Sequence, residues 1–281
     1  MILAMAGFAT ADTFIKLAAR SLSIGQIVFW TSVMAAIFFA ILTLAARRPI
    51  LSPLFFHPAV LIRNTAEIVG SLCIISALSL APLSLVSAIG QANPLVVTLG
   101  AELFLGEKVG PRRWMAVIAG LAGVLIILRP DATGVSLGAL LAVGSVFGLS
   151  ARDLATRRVP RDASTLQLAT YGFSALIPAG AVFMWLSPAG GTLTPLNTAM
   201  LIGATAGAAV GYYAITSAMR LGDVSMVAPF RYSRLVFALV IGILLFGERP
   251  DAWTLIGAAI VIVSGIYVFA RERQLARRAA H

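Results

Sequence analysis

The sequence predicts an all-α integral membrane fold, ten transmembrane helices arranged as two inverted five-helix repeats. Three observations carry this. The 281 residues are 59% hydrophobic and only 11% charged, with a mean hydropathy of +0.96. A soluble domain carries about 25% charged residues, so lipid is the solvent this composition fits. Apolar stretches of ~17–25 residues, long enough to cross a bilayer, recur along the chain. Finally, residues 70–108 repeat at 211–249 without a gap, at an offset of 141 (247 − 106). Gly70 meets Gly211, Ser76-Ala77 meets Ser217-Ala218, and Ser84 meets Ser225. Phe104-Leu105-Gly106-Glu107-Lys108 meets Leu245-Phe246-Gly247-Glu248-Arg249.

The spans are expected at roughly 2–19, 24–46, 59–80, 83–105, 112–128, 134–157, 164–187, 196–220, 224–246 and 251–270. The first has no basic region and no small-residue cleavage site, so it reads as a membrane helix, not a cleaved leader. The second stops at Arg47-Arg48-Pro49 and the third at Ala81-Pro82. The fourth ends at Gly106-Glu107-Lys108, the fifth at Arg129-Pro130-Asp131, and the sixth at Arg157-Arg158-Val159-Pro160. The seventh breaks at Ser187-Pro188-Ala189-Gly190-Gly191, the eighth at Gly222-Asp223, and the ninth at Gly247-Glu248-Arg249-Pro250. Proline, glycine and charge punctuate each link. Several links are a few residues long, which makes neighbouring helices antiparallel hairpins.

Basic residues set the orientation. One set of ends holds Arg47, Arg48, Lys108, Arg112, Arg113, Arg157, Arg158, Arg161, Arg220 and the tail arginines. The other holds Lys16, Arg20, Arg129 and Arg249. Both termini are therefore expected in the cytoplasm of a bacterial inner membrane protein. Helices 3–4 match helices 8–9, five spans later, and an odd shift inverts a segment. Glu107 is then expected on the cytoplasmic side and Glu248 outside. Helix 1 matches helix 6 weakly, with Leu17-Ala18-Ala19-Arg20 against Leu154-Ala155-Thr156-Arg157 at an offset of 137 (154 − 17). The expected organisation is a single membrane domain over 1–281. Its first repeat is 1–130, its second 131–270, and 271–281 is a basic cytoplasmic tail.

Composition also excludes. The net charge of +10 is read as membrane orientation and not as a nucleic-acid surface. Cys73 is the only cysteine, which excludes an intramolecular disulfide and any multi-cysteine metal site. His57 and His281 are isolated, so no histidine metal site is expected. No Walker loop, dinucleotide loop or nucleophile elbow is present, so neither ATP hydrolysis nor enzymatic chemistry is expected, and no cofactor.

Certain segments resemble a known family. Leu103-Phe104-Leu105-Gly106-Glu107-Lys108-Val109, Arg112-Arg113-Trp114, Gly120-Leu121-Ala122-Gly123-Val124 and Arg129-Pro130 are similar to EamA-type members of the drug/metabolite transporter superfamily. So are Phe8, Asp12 and Lys16 near the start, and Leu245-Phe246-Gly247-Glu248. The resemblance implies ten helices in inverted repeats around a central cavity lined by helices 1, 3, 4, 6, 8 and 9. It implies a secondary carrier that exports small metabolites, amino acids foremost. Relatives move S-adenosylmethionine, nucleotide-sugars or sugar phosphates, and uptake or exchange of such a larger charged metabolite is the alternative. The expected partners are a small-molecule substrate and membrane lipid, with the chain a monomer or weak homodimer.

Polar groups inside a bilayer cost roughly 2.5–3.5 kcal/mol for a central charge on insertion scales, so each needs a reason. In helix 4, Ser84, Ser87, Gln91, Thr98 and Glu102 fall on one face. Asn93 lies beside Pro94, which removes a backbone donor and frees the Gly90 carbonyl. Two readings stand for this face, cavity lining and helix packing by small polar residues. Tyr232 and Arg234 occupy the places of Gln91 and Asn93 in helix 9. Arg231 and Arg234 share a face. Arg234 is read either as a holder of a substrate carboxylate or as an ion-pair partner of Glu67 or Glu102. Tyr212 and Tyr213 in helix 8 are read as stacking surfaces for substrate or as packing residues. Asp12 and Lys16 are read as an intrahelical pair or as a cavity pair for an amine and a carboxylate. Arg63 and Glu67 invite the same intrahelical account. Arg152 and Asp153 are read as a pair across helices or an interfacial anchor.

Overall fold

The computed structural model describes residues 1–50, 52–106, 110–129, 135–160, 162–186, 190–221 and 228–279, with the side chains of 113, 216–221, 228, 229, 269 and 271–279 excepted. Glu107, Lys108, Arg161, Ser225 and the Gly222-Asp223 link lie outside the described residues.

Among the described residues all regular structure is helical, in ten segments. They are α1 (Ile2–Ala18), α2 (Ile24–Ala45), α3 (Pro58–Leu80), the broken pair α4 (Leu83–Gly90) and α5 (Asn93–Leu105), α6 (Pro111–Leu128), α7 (Leu137–Thr156), α8 (Thr165–Leu186), α9 (Pro195–Leu221), α10 (Ser233–Phe246) and α11 (Ala252–Ala279). A 3-10 turn, Ala228–Tyr232, leads into α10. Six segments are long and apolar enough to cross a membrane: 24–45, 58–80, 83–105, 137–156, 165–186 and 195–215. Of the others, α1 has 17 residues, and α6 opens on Arg112-Arg113 before its apolar run Trp114–Leu128. The helix α10 has 14 residues, and α11 is apolar only to Val268. Large apolar side chains face outward all round, including Phe104, Ile118, Trp185 and Leu244. An outer surface of that kind suits hydrocarbon.

Local signals place the ends. Ser23 and Gln26 form a capping box at the start of α2. Ser164 and Gln167 make the same reciprocal bonds before α8, at 3.0 and 3.2 Å. Such boxes satisfy two otherwise orphaned N–H groups. Pro58 and Pro111 stand in the first turns of α3 and α6, where proline loses no bond. Gly106 and Gly247 end α5 and α10 in the left-handed conformation, at φ 69° and 65°, which glycine adopts without strain. Helix 4 breaks at Gln91-Ala92, ahead of Pro94. In the expected basic tail the backbone continues α11 to Ala279, because nothing in 271–279 breaks a helix.

Helices pair as α1 with α9, α2 with α8, α3 with α7 and α6 with α11, while α4 packs on α10. A core of Leu78, Leu83, Ile89, Leu95, Val117 and Val261 sits between them. Close contacts recur at a shift of 141. A Cβ on Gly7 would lie 2.8 Å from the Gly207 oxygen and the Gly211 nitrogen. A Cβ on Gly148 would lie 2.6 Å from the Gly70 nitrogen and 3.2 Å from the Ala66 oxygen. These are the same places in the two halves. Gln26 donates to the Gly191 carbonyl at 2.8 Å, and Gln167 donates to the Pro49 carbonyl at 2.9 Å. Helices 1 and 6 therefore correspond at 141 and not at the expected 137. Helix packing needs Gly7 opposite Gly211 and Gly148 opposite Gly70, and this outweighs a four-residue likeness at the helix ends.

The links fall on two ends. At one end Ser21 accepts from the Gly191 amide at 3.1 Å and donates to Asn197 at 2.7 Å, and Arg129 pairs with Asp251. At the other end Arg158 donates to the Phe104 carbonyl.

Candidate functional site

Charged side chains inside the bundle form two groups, Asp12 with Arg234, and Arg63, Glu67, Arg152 and Asp153 with Asn93. Arg234, at the start of α10, donates through Nε and Nη2 to Asp12 Oδ2 of α1, at 3.1 and 2.6 Å. The guanidinium also lies 5.5 Å from the Phe8 ring. Arg152 in α7 donates to Asp153 Oδ1 at 3.0 and 2.8 Å and to Glu67 Oε1 of α3 at 3.0 Å. Arg63 Nη2 lies 3.5 Å from Glu67 Oε2, the expected one-turn pair, and Nη1 donates to the Leu168 carbonyl of α8 at 3.2 Å. Asn93, at the first turn of α5, accepts from Ser150 at 2.6 Å and reaches Asp153 Oδ2 at 3.5 Å. Arg231 has Asp153, Arg152 and Arg234 as its charged neighbours. Helices α1 and α10 thus supply the first group, and α3, α5 and α7 the second, with α8 adding a carbonyl.

These contacts correct several expectations. Asp12 and Lys16 do not pair with each other. Asp12 turns to Arg234, and Lys16 turns to Glu248 at 3.8 Å and to the carbonyls of Ala81 and Leu78 at 2.5 and 3.3 Å. Each finds a partner elsewhere in the bundle whose own desolvated group needs one. Arg234 pairs with Asp12, and with neither Glu67 nor Glu102. Glu67 is taken by Arg152 and Arg63, and Glu102 keeps a buried oxygen without a hydrogen bond.

The remaining candidates are scattered. Gln91 is buried and donates to the Ser87 carbonyl of its own helix at 3.3 Å, while the buried Ser87 hydroxyl has no partner. Tyr232 is buried with its hydroxyl against α11, where Gly265 leaves the room it fills. Tyr212 donates to the Thr165 carbonyl at 2.8 Å and meets Phe39 edge-on at 5.0 Å. Tyr213 is 74% exposed on the outside of the bundle, apart from the charged groups. Adjacent helical residues point about 100° apart, so the two tyrosines cannot serve one site.

A second group lies at the end where α4 begins. The Glu248 carboxylate accepts from the Leu83 and Ser84 amides at 2.6 and 2.9 Å and from the Ser84 hydroxyl at 2.6 Å. It caps α4 as a carboxylate at a positive helix terminus. Lys16 joins the same carboxylate to the Ala81 carbonyl. Sequence reasoning missed this latch, although the repeated Gly-Glu after α5 and α10 marked it. It also missed Asp153 as the counterpart of Asp12, which the 141 offset gives directly (153 − 12).

The EamA-like transporter family matches the chain twice, over residues 1–129 and 136–270. The chain belongs to this family. Six of its helices are long and apolar enough to cross a membrane, and its family is one of transporters. A riboflavin transporter of Vibrio cholerae serotype O1 is 32% identical over 68% of the chain, a match spanning 64% of that relative's length. An S-adenosylmethionine uptake transporter of Rickettsia bellii is 27% identical over 70% of this chain and 67% of its own. A pseudopaline exporter of Pseudomonas aeruginosa is 24% identical over 94% of this chain and 93% of its own. Both EamA matches begin before the charged helices of their half, so Asp12 falls in one and Asp153 in the other.

Proposed function

We infer that this EamA-family chain is a secondary carrier that exports small amphipathic metabolites, amino acids foremost, by alternating access. The observation that carries this reading is the presence of two charged groups inside the bundle, each shared by helices of both halves. Charges cost too much inside lipid to be kept for packing alone. The pairing of Asp12 with Arg234 and of Asp153 with Asn93 joins one half to the other at equivalent places. Any substrate that enters there touches both halves.

The two halves are read as inverted repeats related by a pseudo-two-fold axis in the membrane plane. The two family matches and the contacts that recur at 141 support this. So does the pairing of helices, which maps onto itself when every helix is moved on by five. The latch of Glu248 on α4 holds one end shut. Rocking of the halves would open that end and close the other. The excess of arginine at the opposite end supports an inner-membrane orientation with cytoplasmic termini. Asp12, Asn93 and Arg234 are the substrate-facing candidates in this reading; Lys16 belongs to the latch.

A second reading has the chain take up or exchange a larger metabolite. The riboflavin and S-adenosylmethionine names of two relatives favour it, while the exporter that aligns along nearly the whole chain favours the first. Counterflow in proteoliposomes separates them. Amino acids, riboflavin and S-adenosylmethionine are offered as competitors, with and without a proton gradient. Export of amino acids predicts that amino acids alone drive exchange. Exchange only with riboflavin or S-adenosylmethionine overturns it, and ion currents without exchange overturn the carrier reading itself.

A further inference from the structure

The helix α6 packs chiefly on α11, and α7 on α3. Between α6 and α7 lies a cavity of about 210 Å³ with an almost wholly apolar wall. Ile89, Ala92 and Val96, on either side of the break in helix 4, are buried and form its floor. Leu125 of α6 and Phe147 of α7 stand at its mouth, 61% and 57% exposed. Both belong to the apolar outer surface, so the mouth opens onto hydrocarbon. Phe147 lies 10 residues beyond the start of α7 at Leu137 (147 − 137), roughly 15 Å along it at 1.5 Å per residue. That depth is near the middle of a ~30 Å hydrocarbon core, away from the headgroups.

The other half closes the same place with its own side chains. At the shift of 141, Ile89 corresponds to Phe230, Gln91 to Tyr232, Val96 to Phe237, and the lining residue Val124 to Gly265. Tyr232 is buried, and its hydroxyl fills the room that Gly265 leaves. In the first half no ring stands at these positions. Gln91 bonds back to the Ser87 carbonyl of its own helix, and the space between α6 and α7 stays open.

An apolar cavity of ~150 Å³ stays dry and takes up benzene, so water is not the filling of this one. Headgroups and charged solutes find no polar partner on its wall. Left empty, it would deny its lining atoms their dispersion partners on one side. The molecule that surrounds the mouth in a membrane is a lipid tail, and a linear tail passes a gap between two helices. We propose that this cavity binds one acyl chain of a membrane phospholipid, which fills in the first half the place that Tyr232 fills in the second. The chain braces the break in helix 4, between Ile89 and Val96, against α6 and α7. The site is separate from the charged groups and does not depend on the transport reading.

The test places the full-length protein in phosphatidylcholine nanodiscs in which a fraction of the lipid carries a diazirine in mid-acyl chain. Labelled residues are mapped by mass spectrometry after photolysis. Bulk lipid labels outward residues such as Ile118, which is 60% exposed. Label on the buried floor residues Ile89, Ala92 and Val96 needs a chain inside the cavity, and wild type is expected to show it. Ile89→Phe and Val96→Phe each give the first half the ring that the second half carries. Each is expected to abolish label on the remaining floor residues while label at Ile118 is kept. The melting temperature is expected to hold or rise, as on cavity filling. Label confined to outward residues in wild type overturns the proposal, as does floor label that persists in both variants. Label at Ile118 without label at Leu125 and Phe147 would mean that protein covers the mouth, and overturns it too. Counterflow measured on the same samples reports on transport separately.

Discussion

Asp12 and Arg234, far apart in sequence, are joined by two hydrogen bonds to one carboxylate oxygen, at 2.6 and 3.1 Å. The equivalent pair in the other half is Asp153 with Asn93, at 3.5 Å. One contact is a charged pair and the other a long bond from a neutral amide to a carboxylate. The scaffold repeats, and the chemistry at its centre does not.

Breaking the charged pair strands a desolvated charge. Asp12→Asn and Arg234→Gln are each expected to destabilise the protein by about 3–5 kcal/mol, as for other buried pairs that lose one partner. The double variant is expected to recover a good part of that loss. Melting temperatures of the three variants in nanodiscs check this, and strict additivity would show that the pair carries no coupling. Transport is expected to fall in both single variants at matched membrane amount. Unchanged exchange would remove Arg234 from the site.

The latch makes a prediction about access. Glu248→Gln removes the charge from a carboxylate that accepts two amides and a hydroxyl. Hydrogen bonds to charged groups are worth about 1.5–3 kcal/mol, so the closed end is expected to open about tenfold or more often. With Cys73 changed to serine, a cysteine at Ala81 is expected to react faster with a polar maleimide in the Glu248→Gln background. An equal rate in both backgrounds would rule out the latch.

Glycine packing gives a third prediction. Gly148→Ala places a methyl 2.6 Å from the Gly70 nitrogen, and Gly7→Ala places one 2.8 Å from the Gly211 nitrogen. Both contacts are with backbone, which cannot turn aside. Each substitution is expected to cost about 1–3 kcal/mol, as overpacking does, and Gly148→Ala more than Gly7→Ala. Gly90→Ala, which meets nothing, is expected to leave the melting temperature unchanged or higher. Equal effects at all three positions would sever the link between clearance and stability.

The fourth concerns the cap of α11. Asp251 accepts from the Thr254 amide at 2.7 Å, and this bond, with the Arg129 guanidinium as a lesser cause, holds its carboxyl below the usual carboxylate range. A depressed carboxyl stabilises the fold above its unfolded pKa, and that contribution is lost as pH falls through the lower folded value. Asp251→Ala is expected to cost about 1 kcal/mol at neutral pH, and Asp251→Asn much less, since asparagine also caps. The gap between wild type and Asp251→Ala is expected to narrow below about pH 4. A constant gap down to pH 2 would show that the carboxylate charge contributes nothing.

Most of the helix bounds were legible because apolar length, proline and glycine act locally. Ser23 with Gln26, Pro58, Pro111, Gly106 and Gly247 each fix an end through their own backbone. The break in helix 4 followed from Pro94, but the corresponding 3-10 turn before Ser233 has no proline to announce it. The pairs were less legible. Asp12 and Lys16 sit one turn apart and looked like partners, yet each met a stronger one across the bundle. Glu67 had Arg63 and Arg234 as candidate partners in the sequence, and helix packing kept Arg63 and brought in Arg152.

The sequence by itself determined that this chain lives in lipid, that it is built of helical hairpins, and that half of it restates the other half. Those properties rest on composition, local backbone preference and identity at a fixed offset. Only the tertiary structure decided which charge answers which. A charge buried in a bundle is satisfied by whatever helix is packed against it, and that neighbour can be hundreds of residues away along the chain.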